Sequence, residues 1–214
     1  MKRSENKRVL AIIAVVMIEV FMRAAYASVR IDPIVYTLLA RVLEMIAILA
    51  IAATNCGIQT KNIKKEVLWG LGASVIFGLA AITADLVSRI VLAPGILCEM
   101  LPVQHVKNVW IFLITGCILA PLVEEMFFRG LFYAWIRKGL PVWISVIMSA
   151  VFFASMHGSV SIIQLVGGLV FAMIYEWRKN IWAAYVVHAL ANFGIWIIPL
   201  AYPLIWSKVM SIWA

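Results

Sequence analysis

Apolar residues fill long runs along this chain, interrupted by short clusters of Lys, Arg, Pro and Gly. A run of about 18 or more apolar residues is long enough to cross the hydrocarbon core of a bilayer as a helix. Eight such spans are predicted, over residues 9–27, 35–53, 67–88, 109–135, 142–158, 160–177, 181–198 and 200–213. The last is short and is set off from its neighbour by Pro199 and Pro203. The period-two alternation of a membrane barrel is absent, as are internal repeats and low-complexity segments. The expected fold is an all-α, polytopic transmembrane helical bundle.

Composition strengthens that reading: 65% of the residues are hydrophobic and only 13% are charged, well outside the range of a soluble domain. The net charge of +8 does not point to nucleic acid, because the basic residues gather in short loops between apolar runs. Lys2, Arg3, Lys7 and Arg8 precede the first span, and Lys61, Lys64 and Lys65 separate the second and third. Arg137 and Lys138 follow the fourth, and Arg178 and Lys179 follow the sixth. The alternate loops hold only Arg30, Arg89 and Lys107. With eight spans, the positive-inside rule then places both termini in the cytoplasm.

Residues 1–27 have the basic and apolar parts of a signal peptide, with "AYA" at Ala25–Ala27. Glu19 and Arg23 interrupt that pattern, so a retained first helix is expected. Cys56, Cys98 and Cys117 show no paired spacing, which argues against a disulfide framework or cysteine-held metal. The longest external connection, from about Arg89 to Asn108, could cap a site but reads as an irregular connector, with His105 a solvated loop residue.

Charges inside the spans carry the functional question, because each is expensive in hydrocarbon. Helical spacing pairs Glu19 with Arg23, Arg41 with Glu44 and Asp85 with Arg89, and these read as neutralised structural pairs. In "PLVEEMFFRG", residues 121–130, the same spacing pairs Glu125 with Arg129. Glu124 is rotated about 100° from Glu125 on an ideal helix and has no local cation. It must find a partner on another helix or resist ionisation. His157, with Phe153 one turn before it, and His188, with Asn192 one turn after it, lie in later spans. Singly, such residues usually make interhelical hydrogen bonds. Glu, His, His and Asn together are the types needed for acid–base hydrolysis.

"EEMFFR" at 124–129, "FASMH" at 153–157 and "HALAN" at 188–192 resemble the EExxxR, FxxxH and HxxxN/D motifs of the CAAX-protease and bacteriocin-processing family of intramembrane proteases (CPBP, also called ABI). They occur in that family's order, each on its own predicted helix. The resemblance implies a membrane endopeptidase with its active site within the bundle. Residues 109–198 would form the core of the site, 1–108 three preceding helices and an external loop, and 199–214 a final helix. It further implies that Glu124 and His157 activate a water, that His188 and Asn192 stabilise an oxyanion, and that Glu125 with Arg129 orients Glu124. Phe153 would pack one face and exclude bulk water.

A zinc site made of Glu124, His157 and His188 is the alternative. The metal-free form is favoured, since HExxH spacing is absent and Asn192 suits an oxyanion better than zinc. The expected substrate is a hydrophobic, lipidated or membrane-tethered peptide or protein, met in the lipid bilayer of a prokaryotic plasma membrane. Two competing functions remain: a non-catalytic bacteriocin-immunity or regulatory protein on the same scaffold, and a proton-coupled carrier. The carrier would call for repeats or broken helices, which the sequence does not show.

Overall fold

The computed structural model describes residues 2–29, 31–58, 61–92, 107–157 and 162–213; the side chains of Lys2, Arg3, Asp85, Leu86, 88–92, Pro199 and 202–213 are not described. Among the described residues there are seven helices and no strand. They are α1 (Lys2–Ser28), α2 (Pro33–Ala52), α3 (Ile63–Leu92), α4 (Val109–Ile136), α5 (Val142–Ser155), α6 (Ile162–Arg178) and α7 (Ile181–Trp213). Five of them, α1 to α4 and α7, are long and apolar enough to cross a membrane, and α5 is a shorter apolar helix.

The helices start where the sequence supplies caps. Asp32 accepts the Ile34 amide at 3.0 Å, Asn108 the Ile111 amide at 3.1 Å and Asn180 the Trp182 amide at 3.0 Å. Each satisfies a donor that the first helical turn leaves open.

One expectation is corrected. The stretches 181–198 and 200–213 form a single helix, α7, whose backbone continues through Pro199 and Pro203. A membrane helix tolerates proline where neighbouring groups re-satisfy the freed carbonyls. With seven helices, five of them long and apolar enough to cross, the eight crossings on which the placement of both termini on one side rested are not reproduced. The basic clusters nevertheless gather at one end of the bundle. Arg178, at the end of α6, grips Glu66, at the start of α3, by two bonds of 2.6 and 2.8 Å. Arg137, at the end of α4, reaches Glu176 on α6 at 3.4 Å, and Lys138 pairs with Glu5 of α1. The side chains of the Asp85–Arg89 pair are not described, and Cys98 and His105 lie outside the described residues.

α4 is the hub, in contact with α1, α2, α5, α6 and α7, and is more than half buried while the outer helices are mostly exposed. Two wide, π-helical stretches, Leu113–Leu119 and Met126–Tyr133, flank its α-helical segment Ala120–Glu125. Pro121 explains the first: its ring would collide with the Cys117 carbonyl in a regular α-helix. Such turns re-aim side chains and recur at functional sites.

Small residues let the backbones close on this hub. After α2 the chain turns through Ala53–Asn55 and Gly57, whose φ is +83°, in the left-handed region that favours glycine. That turn lies against Gly130 of α4 so closely that a Cβ there would sit 1.9 Å from the Cys56 carbonyl oxygen. Cys56 and Cys117 are free and buried.

Candidate active site

Glu124 and Glu125 both fall in the α-helical segment of α4, and both are buried. Their one-residue offset turns them to different neighbours, as the rotation per residue requires, with His188 of α7 approached by both. Glu125 meets Arg129, with Oε2 3.2 Å from Nε, both residues fully buried. Its other oxygen, Oε1, lies 2.9 Å from Nδ1 of His188 on α7. Arg129 donates to the Gly168 carbonyl on α6 at 3.2 Å, and the rings of Phe128, Phe153 and Phe171 lie 5.7, 5.2 and 5.5 Å from its guanidinium carbon. The buried charge is thus paired, hydrogen-bonded and lined with aromatic faces, the conditions under which burial is tolerated.

Glu124 points the other way. Its Oε2 is 3.6 Å from Nε2 of His188 and 3.9 Å from Nε2 of His157. Its Oε1 is 3.5 Å from Nε of Arg41, on α2. The cation that Glu124 lacks within its own helix therefore comes from another helix. A cavity of about 10 Å³ lies beside it, lined by Val15, Arg41, Glu44, Glu124, Phe127, Phe128, Met156 and His157. That is roughly the room one water needs.

The two histidines are oriented alike. His157 sits in the turn just past the end of α5, with Nδ1 2.7 Å from the Phe153 carbonyl. A carbonyl only accepts, as does a carboxylate paired with arginine, so each ring gives its Nδ1–H to an oxygen. Each then presents Nε2 to Glu124. Phe171 stacks on His188 at 4.3 Å between centroids, 19° from parallel, and Phe153 touches both imidazoles, at 4.5 and 5.5 Å. Asn192 donates its amide to the Gly116 carbonyl in the first wide turn of α4, at 2.9 Å.

The structure thus brings Glu124, Glu125, Arg129, Phe153, His157 and His188 together, with Asn192 one turn along α7 from His188. Two relationships differ from the sequence reading. Glu125 holds His188 as well as Arg129, so its reach extends beyond its own helix. Arg41 and Glu44, read as a self-contained pair, both line the cavity beside Glu124. Phe171 and Gly168 lie outside the three motifs; the tandem Gly167–Gly168 ahead of an aromatic is the signal the sequence carries for them. Among the described residues no group of three or more His, Cys, Asp or Glu is placed to hold a metal ion.

No curated protein and no solved structure gives a match to the chain. Residues 106–194 match the model of the family described as Type II CAAX prenyl endopeptidase Rce1-like. That stretch contains all three motifs and every site residue named from them. The family that the motifs resemble is the family matched, and the stretch of similarity covers the helical core of this integral membrane protein.

Proposed function

We propose that the site hydrolyses a peptide bond in a membrane-associated, hydrophobic or lipidated peptide or protein, with Glu124 as the base. The observation that carries this reading is the convergence on Glu124 Oε2 of two imidazole Nε2 atoms, at 3.6 and 3.9 Å, beside a cavity of one-water size.

In this mechanism a water lies between Glu124 and Nε2 of His157. Glu124 takes one of its protons as the water oxygen bonds to the scissile carbonyl carbon, and the carbonyl electron pair moves onto oxygen. His188, oriented by the Glu125 contact at Nδ1, turns Nε2 to that oxyanion as a donor. Asn192 has a second amide N–H beyond the one given to Gly116, and it donates there too. A preorganised donor of this kind contributes about 3–4 kcal/mol to lowering the barrier. When the carbonyl re-forms, the C–N bond breaks and Glu124 returns its proton to the leaving nitrogen.

What supports the metal-free form is the guanidinium already 3.5 Å from Glu124, which a dication in the same place would repel. The zinc alternative would instead draw Glu124, His157 and His188 onto one ion. The basic end of the bundle would face the cytoplasm of a prokaryotic cell, placing the N-terminus there.

The test is cleavage in reconstituted vesicles of two probes, a farnesylated peptide ending in a CAAX tetrapeptide and an unlipidated hydrophobic peptide, followed by mass spectrometry. Wild-type protein cuts at least one, and Glu124→Gln protein of normal fold does not. Cleavage undiminished by Glu124→Gln overturns the reading. Failure of wild-type protein to cut any membrane peptide favours a binding or immunity role on this scaffold.

A further inference from the structure

The family match begins at residue 106, yet the cation beside Glu124 comes from α2. Arg41 faces three carboxylates on three helices. Glu44 lies one turn along α2, Glu19 of α1 has Oε2 at 3.9 Å, and Glu124 of α4 has Oε1 at 3.5 Å. Glu19 is itself anchored by Arg23 at 2.9 Å. A pair that served only to neutralise itself would need Glu44 alone. Here the guanidinium reaches past Glu44 to α4 and lines the cavity beside Glu124 and His157. Its buried Nε completes no hydrogen bond among the described residues and lies 3.5 Å from Glu124 Oε1.

This arrangement divides the two oxygens of Glu124. Oε1 is turned toward Arg41, and Oε2 is left to the histidines. A planar guanidinium is suited to that task, because its fork fixes direction as well as charge. The same pair of helices also reaches His157, since Arg23 donates to the carbonyl of Met156, the residue before it.

We propose that Arg41 is a positioning residue of the site, holding Glu124 by Oε1 so that Oε2 faces the attacking water. The α1–α2 pair is then part of the catalytic apparatus, with Glu19 and Glu44 steadying the guanidinium from behind. This rests on the reading of Glu124 as the base.

The experiment uses the full chain in vesicles and whichever of the two peptide probes the wild type cleaves. Arg41→Met should lower kcat about 10²-fold, the scale of a small misplacement of a catalytic group, with KM unchanged. Arg41→Lys should recover part of the rate, and added guanidinium should rescue Arg41→Met where urea, its neutral isostere, does not. Should Arg41→Met fail to fold, Arg41→Lys decides, because it keeps the charge and the buried pairs. A lower kcat at constant KM supports the role, and a wild-type kcat overturns it.

A substrate-independent arm follows the carboxylate stretch of Glu124 by infrared spectroscopy, assigned by its loss in Glu124→Gln. The band should shift in Arg41→Lys, and an unmoved band overturns the contact. If Glu124→Gln retains full turnover, the hydrolytic reading fails and the role of Arg41 fails with it. If Glu124→Gln is inactive while the Arg41 variants match wild type, only the present inference fails.

Discussion

His188 Nδ1 lies 2.9 Å from Glu125 Oε1, a contact that joins α7 to the hub helix and fixes which ring nitrogen faces Glu124. Two adjacent glutamates therefore do different work. Glu125 is bound from both sides, by Arg129 and His188, while Glu124 turns one oxygen toward the cavity side.

The two should separate experimentally. Glu125→Gln leaves the fully buried Arg129 without its counter-charge, and breaking a buried pair typically costs about 3–5 kcal/mol. Thermal unfolding in detergent micelles should show a large loss for Glu125→Gln. Glu124→Gln should melt close to wild type, because Arg41 keeps Glu44 and Glu19, and should lose turnover. Equal melting of the two variants would contradict this division.

Asn192→Ala removes an oxyanion donor in the proposed mechanism. It should lower kcat about 10²–10³-fold, with KM little altered. The Gly116 carbonyl also loses its partner, so a small drop in melting temperature should accompany the change. A variant with normal kcat would assign Asn192 to packing between α7 and the wide turn of α4.

Backbone approach gives a prediction independent of chemistry. A Cβ at Gly130 would stand 1.9 Å from the Cys56 carbonyl oxygen, whereas one at Gly72 meets nothing within 4 Å. Gly130→Ala should destabilise by about 1–3 kcal/mol or more, as overpacking does. Gly72→Ala should be neutral or stabilising by up to about 1 kcal/mol through helix propensity. Comparing the two melts checks how closely the turn after α2 lies on α4.

Treatment with a chelator such as 1,10-phenanthroline separates the two hydrolytic mechanisms. Turnover should persist in the metal-free form. Loss of turnover with recovery on adding zinc would establish the alternative built on Glu124, His157 and His188.

Sequence alone sets the class of the fold, because runs of apolar residues long enough for a bilayer leave little choice but helices. It also determined the Glu125–Arg129 pair and the Glu19–Arg23 and Arg41–Glu44 pairs, since residues three and four apart on a helix are neighbours wherever the helix goes. The three motifs gave the residue types of the site and their order. Local rules gave the wrong break at Pro199, which reads as a helix end in water but lies within α7.

Which charges share a site depends on how the helices pack. Arg41 and Glu124 are 83 positions apart in the sequence, and no spacing rule reaches that far. Glu44 satisfies Arg41 locally, so nothing in the local spacing points to a second partner. The packing of α2 against α4, made close by Gly57 and Gly130, brings the guanidinium to Glu124. The packing of α7 likewise sets His188 between the two glutamates. Helical periodicity fixes neighbours along one helix; the approach of separate helices fixes the rest.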